Sequence, residues 1–119
     1  MIEKPAVLHL ISHTHWDREW YQPFQLFRMR LVHMMDRLLT LFETDPHFDF
    51  FMLDGQTIIL EDYLAVRPER EAQIKSLIHS GRLLIGPWYI LSDEFLVSPE
   101  AIIRNLLEGR RLCDVYAVR

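Results

Sequence analysis

Only one cysteine, Cys113, occurs in the 119 residues, so the chain has no internal disulfide. It falls in a helical pattern and reads as a small, buried or half-buried hydrophobe, which fits a reducing compartment. Basic blocks and basic stripes are also missing. Thirteen basic residues against seventeen acidic ones leave a net charge of -4, and without clustered cations to neutralise phosphates nucleic acid is not an expected partner. Long apolar runs are absent as well. The stretch "MIEKPAVLHLIS" is short in apolar residues, interrupted by His9 and preceded by Glu3. It is neither a secretory signal nor a membrane span, so no membrane partner and a cytoplasmic location are expected. No linker, internal repeat or low-complexity segment divides the chain. What is present is a composition that is half hydrophobic, enough for one core. Residues 1–119 therefore read as one domain, or as a piece of a larger one.

The apolar pattern changes period along the chain. Ala6 to Ile11 is short, apolar on both faces and β-branched at Val7 and Ile11, the pattern of a strand in a buried parallel sheet. From Gln25 to Glu43, Phe27, Leu31, Met34, Met35, Leu38 and Phe42 recur at three and four, which predicts an amphipathic helix stopped by "TDPH". Phe48 to Leu53 is a second apolar strand, and Thr57 to Val66 reads as a helix. Pro68 opens another helix with the stripe Ile74, Leu77 and Ile78, stopped at Gly81. "RLLIG" is a third strand. Ser98 as N-cap and Pro99 at the first helical position begin a last helix, with Ile102, Ile103, Leu106 and Leu107 as its apolar residues, running to about Tyr116. This order predicts an α/β fold of parallel βα units. An unpaired strand edge in such a partial sheet invites self-association into a homo-oligomer.

The unusual residues follow the strands. "SHTHWDREW" comes after the first, "LDGQT" after the second and "GPWYILSDEF" after the third. In parallel α/β folds ligands bind at the C-terminal edge of the sheet, so the three clusters are expected to form one site. His13, His15 and Asp17 alternate, which in an extended segment puts imidazoles and a carboxylate on one side, a donor set that a divalent ion such as zinc accepts. The plainer reading has the histidines capping backbone groups and Asp17 starting a turn. His33, His47 and His79 stand alone and read as surface or turn residues. Trp20 and Trp88 have faces suited to stacking on a sugar ring, although tryptophans also simply pack cores. Asp54, Asp93 and Glu94 are the remaining acids near the edge. A glycosidase needs two carboxyl groups about 5 to 10 Å apart, while Asp54 before Gly55 is equally an ordinary turn residue and Asp93 with Glu94 equally a solvated loop.

"HTHWDREWY", "LDGQTIILEDYLAVRPER" and "GRLLIGPWYILSDEFLVSPEAIIRNLLEGRRL" resemble, in this order and over nearly the whole chain, the N-terminal part of the class II α-mannosidases of glycoside hydrolase family thirty-eight. The likeness is strongest to the bacterial branch that includes mannosylglycerate hydrolases and α-1,3-mannosidases. The resemblance implies a retaining glycosidase acting on a mannose-containing glycan or mannoside, with a divalent metal, usually zinc, in the sugar subsite. It makes His15 and Asp17 metal ligands and Trp20 the platform under the mannose ring, with Trp88 and Asp93 in substrate contact and His13 and Asp54 in support. It also implies that residues 1–119 are the N-terminal portion of the catalytic domain, the opening part of a seven-stranded β/α barrel. The family's nucleophile is an aspartate in a "PDxFG"-type segment. No such segment occurs here, so no catalytic residue is assigned, nucleophile and general acid are expected beyond Arg119, and the isolated chain is expected to be inactive. The HxH at a strand end also suits metal-dependent amidohydrolases and deacetylases of related barrels, and a non-catalytic binding fragment is the third alternative.

Overall fold

The computed structural model describes residues 6–116. Its first helix, α1 (Phe24–Thr44), buries Phe27, Leu31, Val32, Met35, Leu38, Leu39 and Phe42. That is the three-and-four periodicity of the sequence turned into one core-facing stripe. The helix stops where Asp45 donates its N–H to Leu41 O (2.9 Å) and Pro46 follows, with no donor to continue the ladder. Strand β1 (Phe51–Met52) leads into α2 (Ile58–Leu64), then a 3₁₀ turn at Pro68–Arg70, α3 (Glu71–His79), strand β2 (Leu83–Leu84) and α4 (Pro99–Val115). Gly81 ends α3 with a φ of 73°, a left-handed value that costs glycine nothing. Ser98 caps α4, its side chain accepting from Ala101 N.

β1 and β2 pair in parallel, Phe51 opposite Leu83 and Met52 opposite Leu84. The pairing is short but continues as isolated parallel bridges, Gln56 with Trp88 on one side and His13 with Met52 on the other. Three segments therefore run side by side in the same direction, and their outgoing loops leave from one edge. The core between helices and sheet includes Leu31, Met35, Leu39, Leu53, Ile59, Leu60, Tyr63, Ile74 and Leu83, all at most 1% exposed. Complete burial of each of these large side chains contributes roughly 1.5–3 kcal/mol. A polar tie joins α1 to α2, where Tyr63 donates its hydroxyl to Asp36 (2.7 Å) and Arg67 donates to the other oxygen of the same carboxylate (3.0 Å).

One expectation is corrected. Ala6 to Ile11 is not a strand: Val7, Leu8 and Leu10 are each at least 75% exposed, and parallel bonding starts only at Ser12, whose carbonyl accepts from Met52 N (2.9 Å). A strand exists by pairing, and β1, its neighbour among the described residues, reaches back no further than Phe51. In α4, Ile103 and Leu107 are exposed, and the buried residues are Gly109, Leu112 and Cys113. The reason is Gly109: a Cβ there would overlap Pro87 O, Trp88 C and Tyr89 N. Backbone meets backbone at that point, and this contact fixes the helix face that turns inward.

Candidate active site

The loop His15–Trp20 follows the first segment and forms one wall of a cavity of about 610 Å³; Ile90, Leu91, Ser92 and Asp93, after β2, form the other. The cavity lies at the C-terminal edge of the sheet, as the positions of the clusters in the sequence led us to expect. His15, Asp17, Trp20 and Asp93 all line it. Trp88, Asp54 and His13 do not. Trp88 contributes main chain, its carbonyl accepting from Thr57 N (2.9 Å) and its N–H donating to Gly55 O (3.1 Å). His13 lies on the exposed side, its Nδ1 2.9 Å from Thr14 O. Asp54 sits behind His15 rather than in the cavity, its carboxylate 9% exposed where the imidazole is 72% exposed.

The geometry around His15 is specific. Nε2 stands 3.6 Å from Asp17 Oδ1, and Nδ1 stands 3.6 Å from Asp54 Oδ2. Two ligands of one tetrahedral ion, at about 2.0–2.2 Å each, lie roughly 3.3 to 3.6 Å from each other. His15 Nε2 and Asp17 Oδ1 thus fit one divalent ion, with the buried carboxylate of Asp54 behind the far ring nitrogen, where it would orient the imidazole. They supply two donors. Among the described residues no group of three or more His, Cys, Asp or Glu is arranged to hold a metal. Asp54 has a φ of 46°, a left-handed conformation uncommon for a residue with a side chain. Its carboxylate holds Trp16 N (2.6 Å) and Gln56 Nε2 (3.0 Å), contacts that stabilise the turn. Two buried polar atoms without a partner, Trp16 Nε1 and Ser92 Oγ, also belong to residues of the cavity walls.

Several side chains that hold these walls were not singled out from the sequence. Arg18 forms a two-pronged pair with buried Asp62 on α2 (Nε to Oδ2, 2.7 Å; Nη2 to Oδ1, 3.0 Å) and lies over the Phe24 ring. The Asp62 hydrogen bonds hold the guanidinium's proton more tightly than usual. Next to Asp62, Glu61 accepts from the Tyr89 hydroxyl (2.9 Å). Burial, reinforced by that hydrogen bond, pushes the Tyr89 phenol up to about 12. Consecutive acids on α2 therefore hold Arg18 of one wall and Tyr89, the residue that leads into the other. Asn105 of α4 accepts from Tyr89 N (2.9 Å) and Ile90 N (3.0 Å) and donates to Ile90 O (2.6 Å). Gln56, fully buried, bonds to both walls.

Comparison with known proteins assigns the chain more directly. Residues 5–115 match the glycosyl hydrolases family 38 N-terminal domain. A protein of Halalkalibacterium halodurans named "Putative mannosylglycerate hydrolase" is 62% identical over 108 residues, which are 91% of this chain and 12% of that protein. Alpha-mannosidase 2C1 of Mus musculus is 26% identical over 109 residues, 91% of this chain and 10% of the mouse protein. Among solved structures, an alpha-mannosidase from Enterococcus faecalis superposes with a TM-score of 0.87 at 50% identity, covering 91% of this chain and 12% of that one. A family 38 glycosyl hydrolase from the same organism gives 0.83 at 46%, with 92% and 13% covered. The chain thus spans about an eighth of the length of the bacterial proteins it matches.

Proposed function

Since the chain belongs to glycosyl hydrolase family 38 through its N-terminal domain, we propose that it is the N-terminal portion of a retaining, metal-dependent α-mannosidase and carries part of the metal and sugar subsite. The observation that carries this reading is the convergence of His15 Nε2 and Asp17 Oδ1, 3.6 Å apart, on a cavity that Trp20 and Asp93 also line. Trp20 is 75% exposed, an arrangement a buried packing role does not need and a stacking platform does. His15 and Asp17 would hold the ion, zinc by preference for a nitrogen and oxygen donor set. A bound divalent ion supplies Lewis-acid contact to sugar hydroxyls and favours the distorted ring on the way to an oxocarbenium-like transition state. Trp20 would bind the apolar face of the ring and Asp93 would take a hydroxyl from the opposite wall. On this reading the parallel βα units are the opening part of a seven-stranded barrel. The nucleophile and the general acid come from elsewhere in the full-length protein, and residues 1–119 alone turn over no mannoside. Family membership counts against the amidohydrolase alternative.

The test is hydrolysis of nitrophenyl α-mannoside by the full-length protein with and without a chelator. We expect turnover that is lost on chelation and restored by zinc, and none from residues 1–119. Hydrolysis that persists in chelator, or turnover by the isolated chain, would refute the proposal.

A further inference from the structure

Main-chain pairing of the first segment ends where Thr14 N donates to Met52 O (3.3 Å). Past that bond, the His15–Trp20 loop is held to the rest of the molecule by side chains. Two of them act on a single residue. Trp16 N donates to Asp54 Oδ2 (2.6 Å), and Trp16 O accepts from Gln56 Nε2 (2.7 Å), so both peptide groups of Trp16 are gripped. Trp16 lies between His15 and Asp17, and fixing its two peptide planes fixes the direction in which each neighbour leaves the chain. The two grips are themselves joined, Gln56 Nε2 donating to Asp54 Oδ2 (3.0 Å). From its other end, Gln56 Oε1 accepts from Leu91 N (3.3 Å), on the opposite wall of the cavity.

We propose that Gln56 is a positioning residue: its buried side-chain amide aims His15 and Asp17 through the Trp16 peptide and sets the spacing between their loop and the Leu91 wall. The inference rests on the mannosidase reading only for its consequence in catalysis. Gln56 is 0% exposed, so no water can replace the bonds it makes without entering the core. The amide supplies two donors and two acceptor sites, and no other side chain of this length offers both kinds at once. Displacement of reacting groups by about 1 Å is enough to cost on the order of a hundredfold in rate.

The test uses the full-length protein with Gln56→Met, which keeps the length and removes the hydrogen bonds, and Gln56→Glu, which sets a carboxylate against Asp54. Hydrogen exchange is followed across residues 14–20 and 88–93 and across α1 and α3, and kcat/KM is measured on nitrophenyl α-mannoside. Ile74→Ala in α3, a fully buried residue away from the cavity, is the control for lost stability. We expect both Gln56 variants to exchange faster in the two loop segments while α1 and α3 keep their protection, with kcat/KM down about ten- to a hundredfold. The control should lose stability without that local pattern and with kcat/KM retained. Unchanged loop protection in both variants, or the same local pattern in I74A, would overturn the proposal. Should Q56M fail to fold, Gln56→Asn, which keeps the amide one methylene too short, takes its place with the same expected outcome. A wild-type protein that hydrolyses no mannoside would defeat the functional reading, and the exchange data would still decide the positioning role.

Discussion

Replacing Gly109 with alanine sets two effects of opposite sign against each other. In a helix interior the change gains about 1 kcal/mol of intrinsic propensity. At this position, however, the added Cβ would overlap Pro87 O, Trp88 C and Tyr89 N, three backbone atoms that cannot swing aside as a side-chain end would. Overpacking of this kind costs about 1–3 kcal/mol, and an obstacle made of backbone belongs at the upper end. A net destabilisation of about 2 kcal/mol is expected, which at a urea slope of about 2 kcal/mol/M lowers the unfolding midpoint by about 1 M. Because the same main chain leads into the Ile90–Asp93 wall of the cavity, the strain should also reach the site. The assay is urea unfolding of residues 1–119 followed by tryptophan fluorescence, paired with the KM of the full-length protein for a mannoside. A midpoint that rises in G109A would mean that propensity won unopposed and that α4 does not press on this loop.

Trp20→Ala should leave the melting temperature nearly unchanged, since the ring is mostly exposed, yet raise the full-length protein's KM for a mannoside about two- to tenfold from lost stacking; equal affinity would remove Trp20 from the site. Arg18→Met strands the buried Asp62 carboxylate and should cost about 2 kcal/mol, discounted from a fully buried pair because Arg18 is itself 37% exposed, whereas the same substitution made together with Asp62→Leu should recover much of the loss in thermal unfolding. At alkaline pH, burial raises the Tyr63, Tyr89 and Tyr116 phenols above their ordinary value, with Tyr89 near 12, so the native state holds these protons more tightly than the unfolded chain. Their stabilisation is complete below about pH 10 and is lost as pH rises through the folded values, so absorbance titration at alkaline pH should show them ionising late, and Tyr89→Phe should reduce the loss of stability between about pH 10 and 12.

The parts of the fold that were legible in the sequence are those set by local repetition. The α1 stripe, the α3 stripe of Ile74, Leu77 and Ile78, and the Ser98 cap with Pro99 follow from neighbours a few residues apart, and the structure has them in those places. The first strand was misread because its existence depends on a partner, and apolar character alone does not supply one. The inward face of α4 was not legible in the sequence, because Ile103 and Leu107 are apolar yet exposed, and Gly109 decides the contact by having no side chain. A signal for this was present, since Asn105 and Gly109 are four apart and neither is at home in the middle of an exposed helix face. Of the site, the loop carrying His15, Asp17 and Trp20 and its meeting with Asp93 could be anticipated from strand ends. The grips on it could not: Arg18 and Asp62 are 44 residues apart, and Gln56 and Trp16 are 40 apart. Gln56 also carries no charge, so in sequence it passes for a turn residue.

The most direct test of the proposed metal and sugar subsite is the zinc content of the purified full-length protein, measured by elemental analysis for the wild type, His15→Ala and Asp17→Ala. The account predicts about one tightly held ion per chain in the wild type and loss of it in either variant, because each removes a donor from a small coordination set. Variants that retain the full complement of metal through dialysis would contradict it.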